Sequence, residues 1–263
     1  MINNISFPGL GAEFEINRAA FYIGPKPVFW YGIIIAVGFF VSLLYILSVC
    51  EKKGVKPDTV YDVGICALVF GIIGARIYYV IFDFDSVRGS ILNFFAVWNG
   101  GLAIYGGIIG GAVSVYIYCR RKGIEFLRVA DLVMPGVMIG QAIGRWGNFF
   151  NAEVYGRATG VLWRMSINGS EGVHPLFLYE SLWNTLGFAL YLVFDKKYKK
   201  NIGEGICFYG IWYGTGRLFL EGMRQSQYIL YIAEPVGISQ VVSAAVICAS
   251  AVLFYRLRKK AAK

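Results

Sequence analysis

The sequence predicts an all-α integral membrane protein with about seven transmembrane helices, and three observations carry that reading. Hydrophobic residues make up 57% of the 263-residue chain and charged residues only 16%, with a mean hydropathy of +0.57. Soluble domains run to roughly 45–50% apolar and about 25% charged. The apolar residues also fall in repeated runs of membrane-crossing length, and the basic residues between those runs alternate in density.

A bilayer core of about 30 Å needs roughly 20 apolar residues per helix. On that measure the spans lie at about 28–49, 60–82, 101–118, 127–150, 175–194, 205–223 and 236–257. The apolar segment 90–98 is too short to cross and reads as an interfacial or re-entrant helix before span three. Residues 1–27 lack the basic-then-apolar pattern of a signal peptide. No repeat or linker divides the chain, so 1–263 reads as a single polytopic membrane domain with a small extracytoplasmic loop region at about 151–174. The glycine pairs Gly100-Gly101, Gly106-Gly107 and Gly110-Gly111 read as close-packing surface, because small residues let membrane helices approach. The five cysteines (Cys50, Cys66, Cys119, Cys207, Cys248) show no CxxC spacing and read as inert thiols.

Basic residues set the orientation. Lys52, Lys53 and Lys56 follow span one, and Arg120, Arg121, Lys122 and Arg128 follow span three. Lys196, Lys197, Lys199 and Lys200 follow span five, and Arg256, Arg258, Lys259, Lys260 and Lys263 close the chain. The alternate loops are poor in Lys and Arg, which puts the N-terminus outside and the C-terminus in the cytoplasm. This pattern accounts for the net charge of +9 without nucleic-acid binding.

Polar residues inside the spans are the functional candidates, because ionisable groups at membrane depth are costly. The stretch Gly144–Gly156 (G-R-W-G-N-F-F-N-A-E-V-Y-G) ends span four with Arg145, Asn148, Asn151 and Glu153. Arg145 and Asn148 share a helix face. Arg217, Glu221 and Arg224 follow at i, i+4 and i+7 in span six. Arg217 and Glu221 could simply neutralise each other. The sharper reading gathers three arginines and two glutamates from separate spans around an anionic head group, since the guanidinium fork binds phosphate oxygens bidentately. Arg76 could snorkel, pair with a carboxylate or touch lipid phosphate. Tyr31 suits an interfacial aromatic belt or a substrate contact. His174, the only histidine, precedes Pro175 and suits a helix start or acid–base work. Asp62 and Asp131 suit caps or pairs at inner span ends.

These motifs resemble the bacterial prolipoprotein diacylglyceryl transferase family. The resemblance rests on Gly144–Gly156, Trp30-Tyr31-Gly32, Gly74-Ala75-Arg76, Gly100 to Gly107, His174-Pro175, Leu178-Tyr179-Glu180 and Arg217-x-x-x-Glu221-x-x-Arg224, in order along nearly the whole chain. One departure is Tyr105, where many members carry a histidine. The resemblance implies transfer of a diacylglyceryl group from phosphatidylglycerol to the lipobox cysteine of a prolipoprotein, forming a thioether and releasing glycerol phosphate. It assigns Arg145, Arg217, Glu153, Glu221 and Tyr105 to the chemistry. Tyr31, Arg76, Asn148, Asn151, Gly156, His174, Glu180 and Arg224 are assigned to substrate binding. It implies the bacterial cytoplasmic membrane, a multi-pass chain with its site toward the outer leaflet, and partners limited to phosphatidylglycerol, the lipobox peptide and the lipid bilayer. No cofactor or metal is expected. The histidine-base role does not transfer to Tyr105, a poor base with an ordinary pKa of about 10. The alternative is a transporter or channel with an Arg/Glu-lined path, whose expected internal repeats are not evident.

Overall fold

A computed structural model describes residues 2–83, 101–233 and 236–261. The expected segment 90–98 and Gly100 lie outside the described residues. Seven long helices occupy the expected apolar runs: α1 (Trp30–Cys50), α2 (Pro57–Phe82), α3 (Ile104–Lys122), α4 (Phe126–Asn151), α5 (Leu176–Lys197), α6 (Glu204–Glu221) and α7 (Ile238–Ala261). Their ends agree with the sequence reading to within about one turn. Five of them (α1, α2, α4, α5 and α7) are long and apolar enough to cross a membrane. Glycine, tyrosine and terminal charges dilute α3 and α6.

The protein is mostly helical, which corrects the all-α expectation. Strands β1 (Ile2–Phe7), β2 (Ala12–Asn17), β3 (Ala19–Ile23) and β4 (Lys26–Phe29) precede α1, and β5 (Ser166–Ile167), β6 (Tyr231–Ala233) and β7 (Val236–Gly237) lie between helices. The sheet order is β2-β1-β5, with β3-β4 and β6-β7 as separate antiparallel pairs. The physical reason is simple alternation. In β2 the apolar Ala12, Phe14 and Ile16 alternate with Glu13, Glu15 and Asn17, a period suited to a sheet with one buried face. Ile5 and Ile16 are buried against Phe149, Met165, Val173 and Phe177. This small core fixes the sheet to the end of α4 and the start of α5.

The residues form two compact units, Met1–Tyr45 with Asp131–Lys263, and Ile46–Ala130. In the second unit, α2 and α3 pack antiparallel through glycine. A methyl group at Gly74 would strike the Gly106 carbonyl, and one at Gly110 would strike the Phe70 carbonyl. The Ser114 hydroxyl donates to the Cys66 carbonyl at 3.2 Å, and Tyr118 donates to Asp62 at 2.6 Å. Asp62 therefore takes a phenol at the helix end. The pairs Gly106-Gly107 and Gly110-Gly111 serve as the close-packing surface that the sequence suggests.

In the first unit, α1 and α4 also run antiparallel at close range. The Ser42 hydroxyl donates to the carbonyls of Gly38 and Gly136 at 2.7 Å each. Helices α5 and α6 are joined by a reciprocal pair: Trp183 and Trp212 stack with centroids 4.4 Å apart. Each indole N–H donates to the other's carbonyl at 3.1 Å. Asp131 caps α6, accepting the amides of Gly203 and Ile206 at 2.7 and 2.8 Å and pairing with Lys199 at 2.8 Å. That outcome matches its reading as a cap and a partner for a nearby lysine.

Candidate active site

The site is built where α4, α5 and α6 meet beside the β-sheet. Gly147 on α4 lies under the ring of Tyr31, so an added methyl there would sit 2.7 Å from a ring carbon. This contact holds Tyr31 against the helix carrying Arg145 and Asn148. The Ser181 hydroxyl donates to the Ala142 carbonyl at 2.8 Å and ties α5 to α4. The tryptophan pair sets α6 against α5. Three helix rotations are thereby fixed, and with them the directions of Arg145, Glu180 and Arg217.

Glu180 is the centre of the cluster. It is 4% exposed and Glu221 is 1% exposed. Glu180 pairs with Arg145, with Arg217 at 3.5 Å and with Arg224 at 3.3 Å. Glu221 pairs with Arg217 at 2.7 Å and Arg224 at 3.6 Å. Arg217 and Glu221 therefore do neutralise each other, but within a larger group. Three guanidiniums face two carboxylates, which leaves one positive charge. Buried carboxylates of this kind need partners, because an uncompensated buried charge costs several kcal/mol. Arg224 lies three residues beyond the end of α6. It is held there by the bridge between Gly156 and Arg224, by Arg157 N–H donating to the Met223 carbonyl at 2.8 Å, and by Arg157 Nε donating to the Arg224 carbonyl at 3.3 Å.

A second group sits at the end of α4. The chain leaves the helix through Ala152 and Val154, both in the left-handed region at φ 53° and 55°. That conformation is a true outlier for a β-branched residue, and such strain persists where the surroundings over-determine it. The turn brings the Glu153 amide to the Asn148 carbonyl at 3.1 Å. The Glu153 carboxylate then accepts from Asn148 Nδ2 at 3.2 Å and from Asn151 Nδ2 at 3.1 Å. Arg18 donates to the Asn151 side-chain oxygen at 3.4 Å. Glu153 thus orients asparagines, while Glu180 and Glu221 are the carboxylates that hold the arginines. Gly156 has no room for a side chain: a methyl group would lie 2.6 Å from the His174 Cβ and 2.8 Å from the Met223 carbonyl oxygen. Its amide donates to the His174 carbonyl at 2.9 Å.

His174 Nδ1 lies 3.2 Å from the Tyr179 hydroxyl, which also accepts from Trp163 Nε1 at 2.7 Å. Arg76 and Tyr105 belong to the second unit. Arg76 is buried, donates to the Gly101 carbonyl at 2.9 Å and lies over the Tyr79 ring at 5.4 Å. Tyr105 is in the first turn of α3 and half-buried. The sequence reading missed Arg18, Trp163 and the pair Gln141 and Tyr209. Only the Arg145 spacing pointed toward Gln141, four residues earlier on α4. Among the described residues no group of three His, Cys, Asp or Glu side chains is placed to hold a metal ion.

The cluster is a set of three partly exposed planar forks aligned by two buried carboxylates. Such a site stabilises negative charge without reorganising. The family model described as prolipoprotein diacylglyceryl transferase matches residues 18–256. A Streptococcus equi subsp. zooepidemicus protein named phosphatidylglycerol–prolipoprotein diacylglyceryl transferase is 41% identical over 255 residues, covering 93% of this chain and 97% of its own. Proteins of the same name from Streptococcus pneumoniae (strain JJA) and Finegoldia magna are 42% and 40% identical, each covering 94% of this chain, and 96% and 98% of their own lengths. With the match running from the strands before α1 into α7, this chain belongs to the prolipoprotein diacylglyceryl transferase family.

Proposed function

We propose that the chain is a multi-pass membrane enzyme that moves the diacylglyceryl group of phosphatidylglycerol onto the lipobox cysteine of a prolipoprotein. The observation that supports this reading is the Arg145–Glu180–Arg217–Glu221–Arg224 cluster, in which three partly exposed guanidiniums surround two buried carboxylates and leave one excess positive charge. The thiolate sulfur attacks the glycerol carbon that bears the phosphate. A C–S bond forms as the C–O bond breaks, the electron pair leaves on the phosphate oxygen, and the thiol proton is released. Negative charge grows on glycerol phosphate, and Arg145 and Arg217 stabilise it. Glu221 and Glu180 fix the forks, and Arg224 adds a third donor group. Glu153 orients Asn148 and Asn151 toward head-group oxygens. Tyr31, His174 and the turn at Gly156 border the lipid; the family resemblance assigns Arg76 to substrate binding as well, and Tyr105 to the chemistry as a hydrogen-bond donor.

The same reading sets the membrane arrangement. All seven helices cross the bacterial cytoplasmic membrane as one polytopic domain, N-terminus outside and C-terminus inside. The arginine cluster and the 151–174 loop face the outer leaflet. The dense basic residues after α1, α3, α5 and α7 support that orientation.

The test uses the purified full chain with phosphatidylglycerol and a lipobox peptide. Mass spectrometry should find the peptide heavier by one diacylglyceryl group, with glycerol phosphate released in equal amount. A Cys→Ser peptide should fail, because the hydroxyl is far less ionised than the thiol at neutral pH. A folded protein that makes no adduct yet moves a solute across liposomes would replace this reading with a transporter.

A further inference from the structure

One turn from Arg145 on α4 and two turns from Arg217 on α6, away from the loop, the Nε2 of Gln141 donates to the Tyr209 hydroxyl at 2.9 Å. Four-residue spacing places Gln141 on the Arg145 face of α4 and puts Tyr209, Tyr213 and Arg217 in a row on α6. The rings of Tyr209 and Tyr213 stack at 5.6 Å. The pair is therefore the next polar layer beneath the charged cluster, and it is neutral.

Its hydrogen bonding is incomplete in a specific way. Gln141 Oε1 is buried and has no hydrogen-bond partner among the described residues. The Tyr209 oxygen already accepts from Gln141, so its own proton remains to be donated. Buried polar groups are nearly always satisfied, and an open one marks a place for a missing partner. A free acceptor beside a free donor fits a group that both gives and takes, a water molecule or a ligand hydroxyl that displaces it. A phosphate oxygen only accepts and would leave Gln141 Oε1 unmet. An ammonium only donates, and the Arg145 charge would repel it.

We propose that Gln141 and Tyr209 bind a hydroxyl of the glycerol head group and so select phosphatidylglycerol over lipids whose head group lacks it. This rests on the transferase reading, and it assigns donor-lipid specificity to two neutral residues outside the family motifs. The alternative role for such a pair is a helix–helix tie between α4 and α6, and the two roles separate by experiment.

The full chain in detergent is given the lipobox peptide and either phosphatidylglycerol or the analogue in which propanol replaces the glycerol head group. The wild-type protein should favour phosphatidylglycerol by about tenfold or more in kcat/KM, the effect of losing a buried hydrogen-bond partner. In Tyr209→Phe and Gln141→Met that preference should fall toward unity, because KM for phosphatidylglycerol rises by about tenfold while the analogue is little affected. A helix tie would instead lower thermal stability and slow both lipids alike, with the preference intact. Equal use of both lipids by the wild type, or an undiminished preference in both variants, overturns the proposal. Native mass spectrometry of lipid binding distinguishes the two failures. If no adduct forms with either lipid, the transferase reading has failed, and selective binding of phosphatidylglycerol, lost in Tyr209→Phe, would still uphold the hydroxyl site. Equal binding of both lipids would sink it.

Discussion

Replacing Glu180 by glutamine should destabilise this protein more than replacing any one of the arginines around it. Glu180 is buried and contacts three guanidiniums. At a separation near 3.4 Å and an effective dielectric of about 20, each contact has a gross attraction of about 5 kcal/mol. Desolvation offsets most of that, and breaking a buried pair from one side has a net cost of about 3–5 kcal/mol. The amide keeps the volume and a hydrogen-bond acceptor but removes the charge. Glu221 then pairs with Arg217 and Arg224 as before, and Arg145 loses its carboxylate. In Arg145→Gln, by contrast, Glu180 keeps Arg217 and Arg224, and no charge is stranded. The assay is the temperature at which half of the purified protein is lost from the monodisperse peak, measured for Glu180→Gln and Arg145→Gln side by side. Both variants should lose lipidation activity by about 100-fold or more, since forks displaced by even about 1 Å align poorly with the leaving phosphate. Their stabilities should differ, Glu180→Gln melting lower. If Arg145→Gln melts at the same temperature or lower, Glu180 is not the residue on which the cluster rests.

Arg145→Lys and Arg217→Lys should each reduce turnover by about 100- to 1000-fold while the protein still inserts and purifies, because lysine keeps the charge and loses the planar fork; wild-type turnover in either would remove the phosphate-clamp role. Tyr105→Phe should lose about tenfold, the value of one hydrogen bond, and a loss as deep as in the arginine variants would move Tyr105 into the chemistry. Gly147→Ala puts a methyl group 2.7 Å from the Tyr31 ring and should cost about 1–3 kcal/mol by overpacking, with Tyr31→Ala restoring stability; an unchanged melting temperature in Gly147→Ala would show that the α1–α4 contact is loose. A cysteine introduced near Ser166, at the exposed Ser170, should react with an impermeant reagent added outside intact cells, and one near Lys199, at the exposed Lys197, should not, with the reverse pattern overturning the orientation.

The helices were legible because twenty-residue apolar runs leave little choice, and each lies within about one turn of its expected place. The strands carried a signal too, but a faint one. Ala12 to Asn17 alternates cleanly, and Pro8, Gly9 and Gly11 mark the turn before it. Six residues are a short pattern, and β1 also pairs with β5 more than 150 residues away, a distance no local rule spans. The turn at Ala152 and Val154 gave no warning, because neither position holds the glycine that normally marks a left-handed helix end. That turn decides that Glu153 meets asparagines and not arginines. Spacing gave Arg217, Glu221 and Arg224 a common face. It could not give Glu180 its central place, since that depends on how α5 is rotated against α4 and α6. The stacked Trp183 and Trp212 set that rotation through contacts that become visible only in three dimensions.

On the proposed function, the charge count at the cluster explains why its three arginines keep two buried glutamates. Three guanidiniums without them would place three positive charges in a low-dielectric interior and force the forks apart. Glu180 and Glu221 hold the forks together in the empty state, at the expense of some affinity for anions. What remains is one positive charge, which matches the single negative charge of a phosphodiester such as the phosphatidylglycerol head. The bound substrate state is then neutral. As the C–O bond breaks, the leaving group moves toward the charge of a phosphate monoester, and its attraction to three aligned forks grows. Stabilisation is therefore greater in the transition state than in the bound lipid, which is the condition for accelerating the step. Once the bond has broken, the doubly charged product exceeds the single positive charge available and has water and counterions to leave for. A site with one glutamate fewer would bind both lipid and product more tightly and release product more slowly. The proportion of three arginines to two glutamates is therefore suited to turnover as well as to binding.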